Sequence, residues 1–137
     1  LWTTRAETTL CPPGTTVAEY PFPSVAEQED DPGSLLNYYR HAMRLRNRNP
    51  EIARGVSEVV DCGDTDCCII RRTYAGESIL IVLNIGREQR TLSLDAAALG
   101  YAALTDALVA GEGVVTLTRG RTADTLALPP YAIAVLR

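Results

Sequence analysis

The spacing of apolar and polar positions changes character once along this chain, near Gly55. Before that point, Leu35, Tyr38, Tyr39, Ala42, Met43 and Leu45 recur as one broad stripe with a helical period. Arg40, Arg44 and Arg48 mark another face at every fourth position. Ser34 supplies an N-cap, Asn49-Pro50 a stop, and arginines fall at the end where the helix dipole favours cations. The spacing therefore predicts an amphipathic helix over 35–48, with a further short turn from Pro50 to Ala53. After Gly55 the period falls to two. Strands are predicted at 56–60, 67–74, 78–84, 88–94, 102–107, 114–118, 125–128 and 131–136, separated by Gly- and Asp-rich turn signals. Short strands at such close spacing form an antiparallel sandwich or barrel, and 67–74 with 78–84 is the clearest hairpin.

The first 33 residues read differently. Cys11-Pro12-Pro13-Gly14, Tyr20-Pro21-Phe22-Pro23 and Asp31-Pro32-Gly33 are turn or extended signals. One short helix is expected among them, because Ser24 and Glu27 have the spacing of a capping box. The fold class expected is mainly β: an irregular arm and one amphipathic helix (1–54) in front of an antiparallel β-sandwich (55–137). A lone helix with a wide aromatic stripe must bury it on the sandwich or on a partner.

Composition narrows the possibilities. The chain has 137 residues, 46% of them hydrophobic and 22% charged, enough for one core but too few for a (β/α)₈ barrel of about 250 residues. A net charge of -4 argues against nucleic acid as a partner. No apolar run approaches the roughly 20 residues that cross a bilayer, and Leu1-Trp2-Thr3-Thr4-Arg5 is not followed by the apolar core of a signal peptide. A start at Leu rather than Met fits a piece cut from something longer. All the basic side chains are arginine, scattered over helix, strand and loop positions, which reads as coding bias rather than function. Cysteines stand at Cys11, Cys62, Cys67 and Cys68. Adjacent residues in a strand point to opposite faces, so at most one of Cys67 and Cys68 reaches Cys62 across a hairpin. The compartment, extracellular or cytoplasmic, stays open on this count.

Candidate chemistry is sparse. The acidic run Glu27, Glu29, Asp30 and Asp31 has no fixed spacing and no apolar wall to raise one carboxyl, so it reads as a solvated helix end and turn. Asp61, Asp64 and Asp66 with Cys62, Cys67 and Cys68 are the most metal-like stretch, yet fit neither an EF-hand loop nor a paired Cys-x-x-Cys knuckle. An Asp- and Gly-rich hairpin turn is expected there, with no metal or cofactor. His41, the one histidine, has no triad partners nearby in sequence. Among the aromatics Trp2, Tyr20, Phe22, Tyr38, Tyr39, Tyr74, Tyr101 and Tyr131, the helical tyrosines and Tyr131 are expected to pack or cap the core. Tyr74 and Tyr101 are candidates for exposure and sugar stacking.

Five segments carry a resemblance. Leu35-Leu36-Asn37-Tyr38-Tyr39-Arg40 and Leu45-Arg46-Asn47-Arg48-Asn49-Pro50-Glu51-Ile52-Ala53-Arg54-Gly55 resemble the last helix of the catalytic barrel in glycoside hydrolase family 13, the α-amylases and α-glucosidases, and its passage into a β domain. Tyr20 to Asp31 is similar to the loop before that helix. Ile81-Val82-Leu83-Asn84 resembles a strand ending in Leu-Asn, and Leu128-Pro129-Pro130-Tyr131 through Leu136 resembles the final strand. The resemblance spans roughly residues 12–137 and implies a bacterial enzyme acting on α-glucans. It also implies that the catalytic carboxylates, roughly 5–5.5 Å apart in retaining glycosidases, lie upstream, so no catalytic residue is carried over. The implied role is non-catalytic, stabilising a barrel that is the chain's partner, with self-association through helix 35–48 when the barrel is missing. The alternatives are a free-standing starch- or maltooligosaccharide-binding module and, more remotely, a small enzyme in its own right.

Overall fold

A computed structural model describes residues 23–137. They fall into two compact units, one ending at His41 and one running from Ala42 to Arg137. The expectations for Cys11, Trp2, Tyr20 and Phe22 lie outside the described residues.

In the first unit, α1 (Val25–Glu29) begins as its sequence dictates. The Ser24 hydroxyl accepts from the Glu27 N–H while the Glu27 side chain accepts from the Ser24 N–H, a complete capping box. The Asn37 carboxamide donates to the Gln28, Glu29 and Asp31 carbonyl oxygens, at 2.9, 3.1 and 2.8 Å, and so holds the turn 30–33. The amphipathic helix α2 occupies Leu35–Arg48, as predicted, with its residues from Ala42 onward counted in the second unit, and ends in arginines.

In the second unit, α3 (Pro50–Arg54) follows, with proline in the first turn and Gly55 just past its end. A Cβ at Gly55 would lie 2.4 Å from the Glu51 carbonyl oxygen, so the close turn from α3 into the first strand admits no side chain. The strands are β1 (Val56–Val60), β2 (Cys67–Tyr74), β3 (Glu77–Asn84), β4 (Arg90–Leu94), β5 (Leu104–Val109), β6 (Thr116–Thr118), β7 (Asp124–Leu128) and β8 (Ala132–Leu136). Two antiparallel sheets result, a five-stranded one in the order β1-β2-β3-β8-β5 and a three-stranded one in the order β4-β7-β6. The β2–β3 hairpin has the longest pairing, Cys67 opposite Asn84 through to Tyr74 opposite Glu77.

One element escapes the periodicity. Ala96–Leu99 forms a single helical turn, α4, capped by Asp95 at its start and by Gly100 at a φ of 72° at its end. Four residues are too few to show a period, and the N-cap and C-cap alone mark it. The core lies between the sheets. Ile69, Leu80, Val82, Leu92, Leu94, Leu126, Leu128, Ala134 and Leu136 are buried there, contributed by alternate positions of each strand.

Candidate functional site

The five-stranded sheet is apolar on both faces. In β3, Ile79-Leu80-Ile81-Val82-Leu83 is a continuous apolar run. An antiparallel strand with one solvated face alternates instead, so such a run marks a strand covered on two sides. Leu80 and Val82 face the core; Ile79, Ile81 and Leu83 face the other way. The register extends this outer face into two cross-strand rows. Val59, Ile70, Ile81 and Val135 stand side by side, and so do Cys68, Leu83, Ile133 and Leu108.

Part of this outer surface is covered within the second unit. Helix α3 packs on β2 and β3, and the Arg72 guanidinium donates to the Glu51 and Ile52 carbonyl oxygens at 3.1 and 2.9 Å, satisfying the end of that helix. Arg137 of β8's end donates to the buried Glu51 carboxylate at 2.9 Å. Ile79 and Val135 are fully buried, whereas Val59 is 74% exposed. At one edge, Ile85 and Tyr131 are 63% and 48% exposed beside a shallow cavity of about 190 Å³ whose walls include Leu83 and Ile133.

Asn84 organises that edge. Its carboxamide, buried, donates to the Glu88, Leu128 and Pro129 carbonyl oxygens at 2.8, 3.1 and 2.8 Å and accepts from the Gly86 N–H at 2.9 Å. The Leu-Asn of β3 and the Leu-Pro-Pro-Tyr before β8, separate in sequence, are thus one hydrogen-bonded corner. Tyr131 corrects the expectation that it caps the core. It stands in the turn just before β8, with its backbone at a left-handed φ of 54° and its side chain exposed.

The second polar cluster lies at the three-stranded sheet. Asp124 is buried and accepts from the Tyr101 hydroxyl at 3.0 Å, the Gly120 N–H at 3.1 Å and the Arg119 guanidinium. Burial alone would raise its carboxyl; the bonds from Gly120, Tyr101 and Arg119 outweigh burial and hold it below the ordinary carboxylate range. Burial, together with the Asp124 acceptor, pushes the Tyr101 hydroxyl up to about 12. Tyr101 was expected as a candidate for exposure; it is 6% exposed, because its hydroxyl finds a partner inside and its ring can then be buried.

Asp95 and Asp124 line one open cleft of about 390 Å³. Two carboxylates in a cleft invite a glycosidase reading, and their surroundings argue against it. A general acid needs a raised carboxyl, and Asp124 is shifted the opposite way. Asp95 uses Oδ1 to cap the Ala97 and Ala98 N–H groups at 3.0 Å.

The other candidates have local structural roles. Glu27 caps α1, Glu29 pairs with Arg40 at 2.8 Å, and Asp31 accepts from the Gly33 N–H at 2.9 Å. Asp61 accepts from the Gly63 N–H and Asp64 from the Asp66 N–H, so the metal-like stretch is the Asp–Gly turn between β1 and β2. Among the described residues no group of three or more His, Cys, Asp or Glu could hold a metal ion. His41 is half-buried on α2. Tyr74 and Tyr131 lie by opposite ends of the β2–β3 hairpin, about 3.3 Å per residue apart along β3, and build no stacking platform together. Tyr39, expected to pack, is exposed on α2.

No family model matches the chain. A curated relative, a probable alpha-glucosidase of Rhizobium meliloti, is 32% identical over 71 residues, covering 52% of this chain and 13% of that protein. Among solved structures, Eubacterium rectale Amy13B matches 91% of this chain with a TM-score of 0.78 and 27% identity, over 24% of its own length. The α-amylase from H. orenii matches 84% with a TM-score of 0.69 at 22% identity, over 22% of its length. The trehalulose synthase MutB from Pseudomonas mesoacidophila matches 82% with a TM-score of 0.62 at 23% identity, over 19% of its length. The chain therefore spans about a quarter or less of each of these proteins.

Proposed function

From its likeness in sequence and fold to the carboxy-terminal part of family 13 glycoside hydrolases, we propose that this chain is the non-catalytic region that covers and stabilises the catalytic barrel of an α-glucan-acting enzyme. The observation that carries this reading is the two-sided apolar sheet. A five-stranded sheet with core-type side chains in two rows on its outer face calls for a third layer. The exposed Leu35, Tyr39 and Met43, spaced four residues apart on α2, are a second apolar surface of the kind a larger domain covers. Each large side chain so covered contributes about 1.5–3 kcal/mol.

The alternative, a free-standing sugar-binding module, has less support, because the exposed tyrosines of the sandwich, Tyr74 and Tyr131, stand at opposite ends of the β2–β3 hairpin. One set of measurements separates the readings. The purified chain is expected to self-associate in light scattering and to show no tyrosine or tryptophan fluorescence response to millimolar maltoheptaose and no α-glucosidase activity. A saturable fluorescence response would establish the binding module; hydrolysis would establish a small enzyme; a clean monomer that binds no hydrophobic dye would remove the barrel-covering role.

A further inference from the structure

Cys62 and Cys67 face each other across the turn between β1 and β2. The register pairs Val60 with Ile69, and carrying it two residues further on each side brings Cys62 opposite Cys67. Residues opposite one another in an antiparallel pair have Cα atoms roughly 4.5 or 5.5 Å apart. Both separations fall inside the window of roughly 4.4–6.8 Å that a disulfide spans without backbone movement. The side chains also share a face, since Cys67 belongs to the buried core and Cys62 packs against it. The Cys62 thiol donates to the Cys67 carbonyl oxygen at 3.2 Å, so its sulfur already sits beside the Cys67 backbone. Cys68 stands next to Leu83 on the outer face and is turned away.

We propose that Cys62 and Cys67 are an oxidisable pair, and that exchange with a low-molecular-weight disulfide joins them in a cross-strand bond that clamps the turn 61–66. In the first step the Cys62 thiolate attacks the external disulfide, forming a mixed disulfide and releasing one thiol. In the second the Cys67 thiolate attacks the Cys62 sulfur and expels the other thiol. Two protein thiols are oxidised, one external disulfide is reduced to two thiols, and the two protein protons end on those thiols. Burial, and then the charge of Asp64, push the Cys67 thiol up to about 11. That leaves the more accessible Cys62 to open the exchange and makes the second step accelerate with pH.

The clamped turn is a stitch between the sheets. The Asp66 carbonyl oxygen accepts from the Ile85 N–H at 2.8 Å after β3, and its carboxylate pairs with Arg90 of β4 in the other sheet. Closing a six-residue loop in the unfolded chain is expected to lower the unfolding constant roughly 40-fold.

The test uses the full chain and its Cys68→Ser variant, incubated with oxidised glutathione and cleaved at arginine, so that all three cysteines fall in the peptide 55–71. In Cys68→Ser the expected product is that peptide two hydrogens lighter and refractory to maleimide until a reductant is added; in the wild-type chain it keeps one reactive thiol, at Cys68, and in both the unfolding constant is lowered roughly 40-fold. Cys62→Ser should abolish both effects. In the wild-type chain, cleavage before aspartate should give 61–63 joined to a peptide that begins at Asp66, and fragmentation of that product between residues 67 and 68 should place the bond on Cys67, a readout that does not depend on the Cys68 variant folding. Two glutathionyl groups on the 55–71 peptide, free thiols after prolonged oxidation, or a bond through Cys11 or Cys68 would each overturn the assignment.

Discussion

The Asn84 carboxamide donates to the Pro129 carbonyl oxygen at 2.8 Å, and through this bond the end of β3 holds the corner from which β8 departs. The same group donates to Leu128 and Glu88, so three carbonyl oxygens are satisfied by one buried side chain. Asn84→Asp would set carboxylate oxygens against three carbonyl oxygens and remove every donor. Leaving buried acceptors unpaired costs about 1–3 kcal/mol each, and a loss of about 3 kcal/mol in urea unfolding is expected. A loss below about 1 kcal/mol would mean that water replaces the amide and that the corner is not held this way.

That corner shows what sequence reasoning reaches. The helix 35–48 and strands 56–60 and 67–74 match the structure residue for residue, because each has a clear period and strong breakers at both ends. The outer strands fared less well: 88–94 shortens to Arg90–Leu94 and 114–118 to Thr116–Thr118, since flanking residues of suitable type do not guarantee a pairing partner. The two-sided burial of Ile79 to Leu83 was written in the sequence as an unbroken apolar run. What covers its outer side was not, because that depends on which strands neighbour β3. Tyr101 and Tyr131 exchanged their expected exposures because neither a buried hydroxyl partner, Asp124, nor a left-handed turn before β8 shows in the periodicity.

Glu51 and Arg137 should respond unequally to substitution. The Glu51 side chain is buried and its Oε2 has no hydrogen-bond partner among the described residues, whereas Arg137 is partly exposed. Arg137→Ala leaves a buried carboxylate uncompensated and is expected to cost about 3 kcal/mol. Glu51→Leu removes the desolvated charge along with its orphaned oxygen, and its cost should stay within about 1 kcal/mol. Chemical denaturation of both variants checks this; equal losses would show that the pair contributes by attraction rather than by compensating a buried charge.

The Tyr101–Asp124 pair predicts two pH limbs. Asp124 is held below its ordinary range in the fold, so its contribution is complete above the unfolded value near about 4 and declines as pH falls through the lower folded value. Tyr101 is raised to about 12, so above about 10 the unfolded chain releases that proton first and stability falls as pH climbs toward the folded value. Urea midpoints measured against pH should show both limbs. Asp124→Asn should flatten the acid limb; Tyr101→Phe should flatten the alkaline limb and cost about 1 kcal/mol at neutrality, the worth of one buried hydrogen bond. An unchanged alkaline limb in Tyr101→Phe would assign it to other groups.

Tyr131 separates the stability of the chain from the role proposed for its surface. A non-glycine residue at a φ of 54° bears a left-handed backbone penalty of roughly 1–2 kcal/mol, and an exposed ring recovers little of it by packing. Tyr131→Gly relieves that penalty and adds unfolded-state entropy of roughly 0.5–1 kcal/mol, so the variant chain alone should be as stable as the wild type or slightly more so. On the proposed barrel-covering reading, the same substitution should weaken a longer enzyme that contains this chain, since that reading puts the ring, beside Ile85, in the covered surface. Thermal unfolding of the chain alone and of the longer enzyme gives the comparison. If Tyr131→Gly destabilises the chain alone by more than about 1 kcal/mol, the ring belongs to the sandwich itself; a longer enzyme indifferent to the change would place the barrel elsewhere.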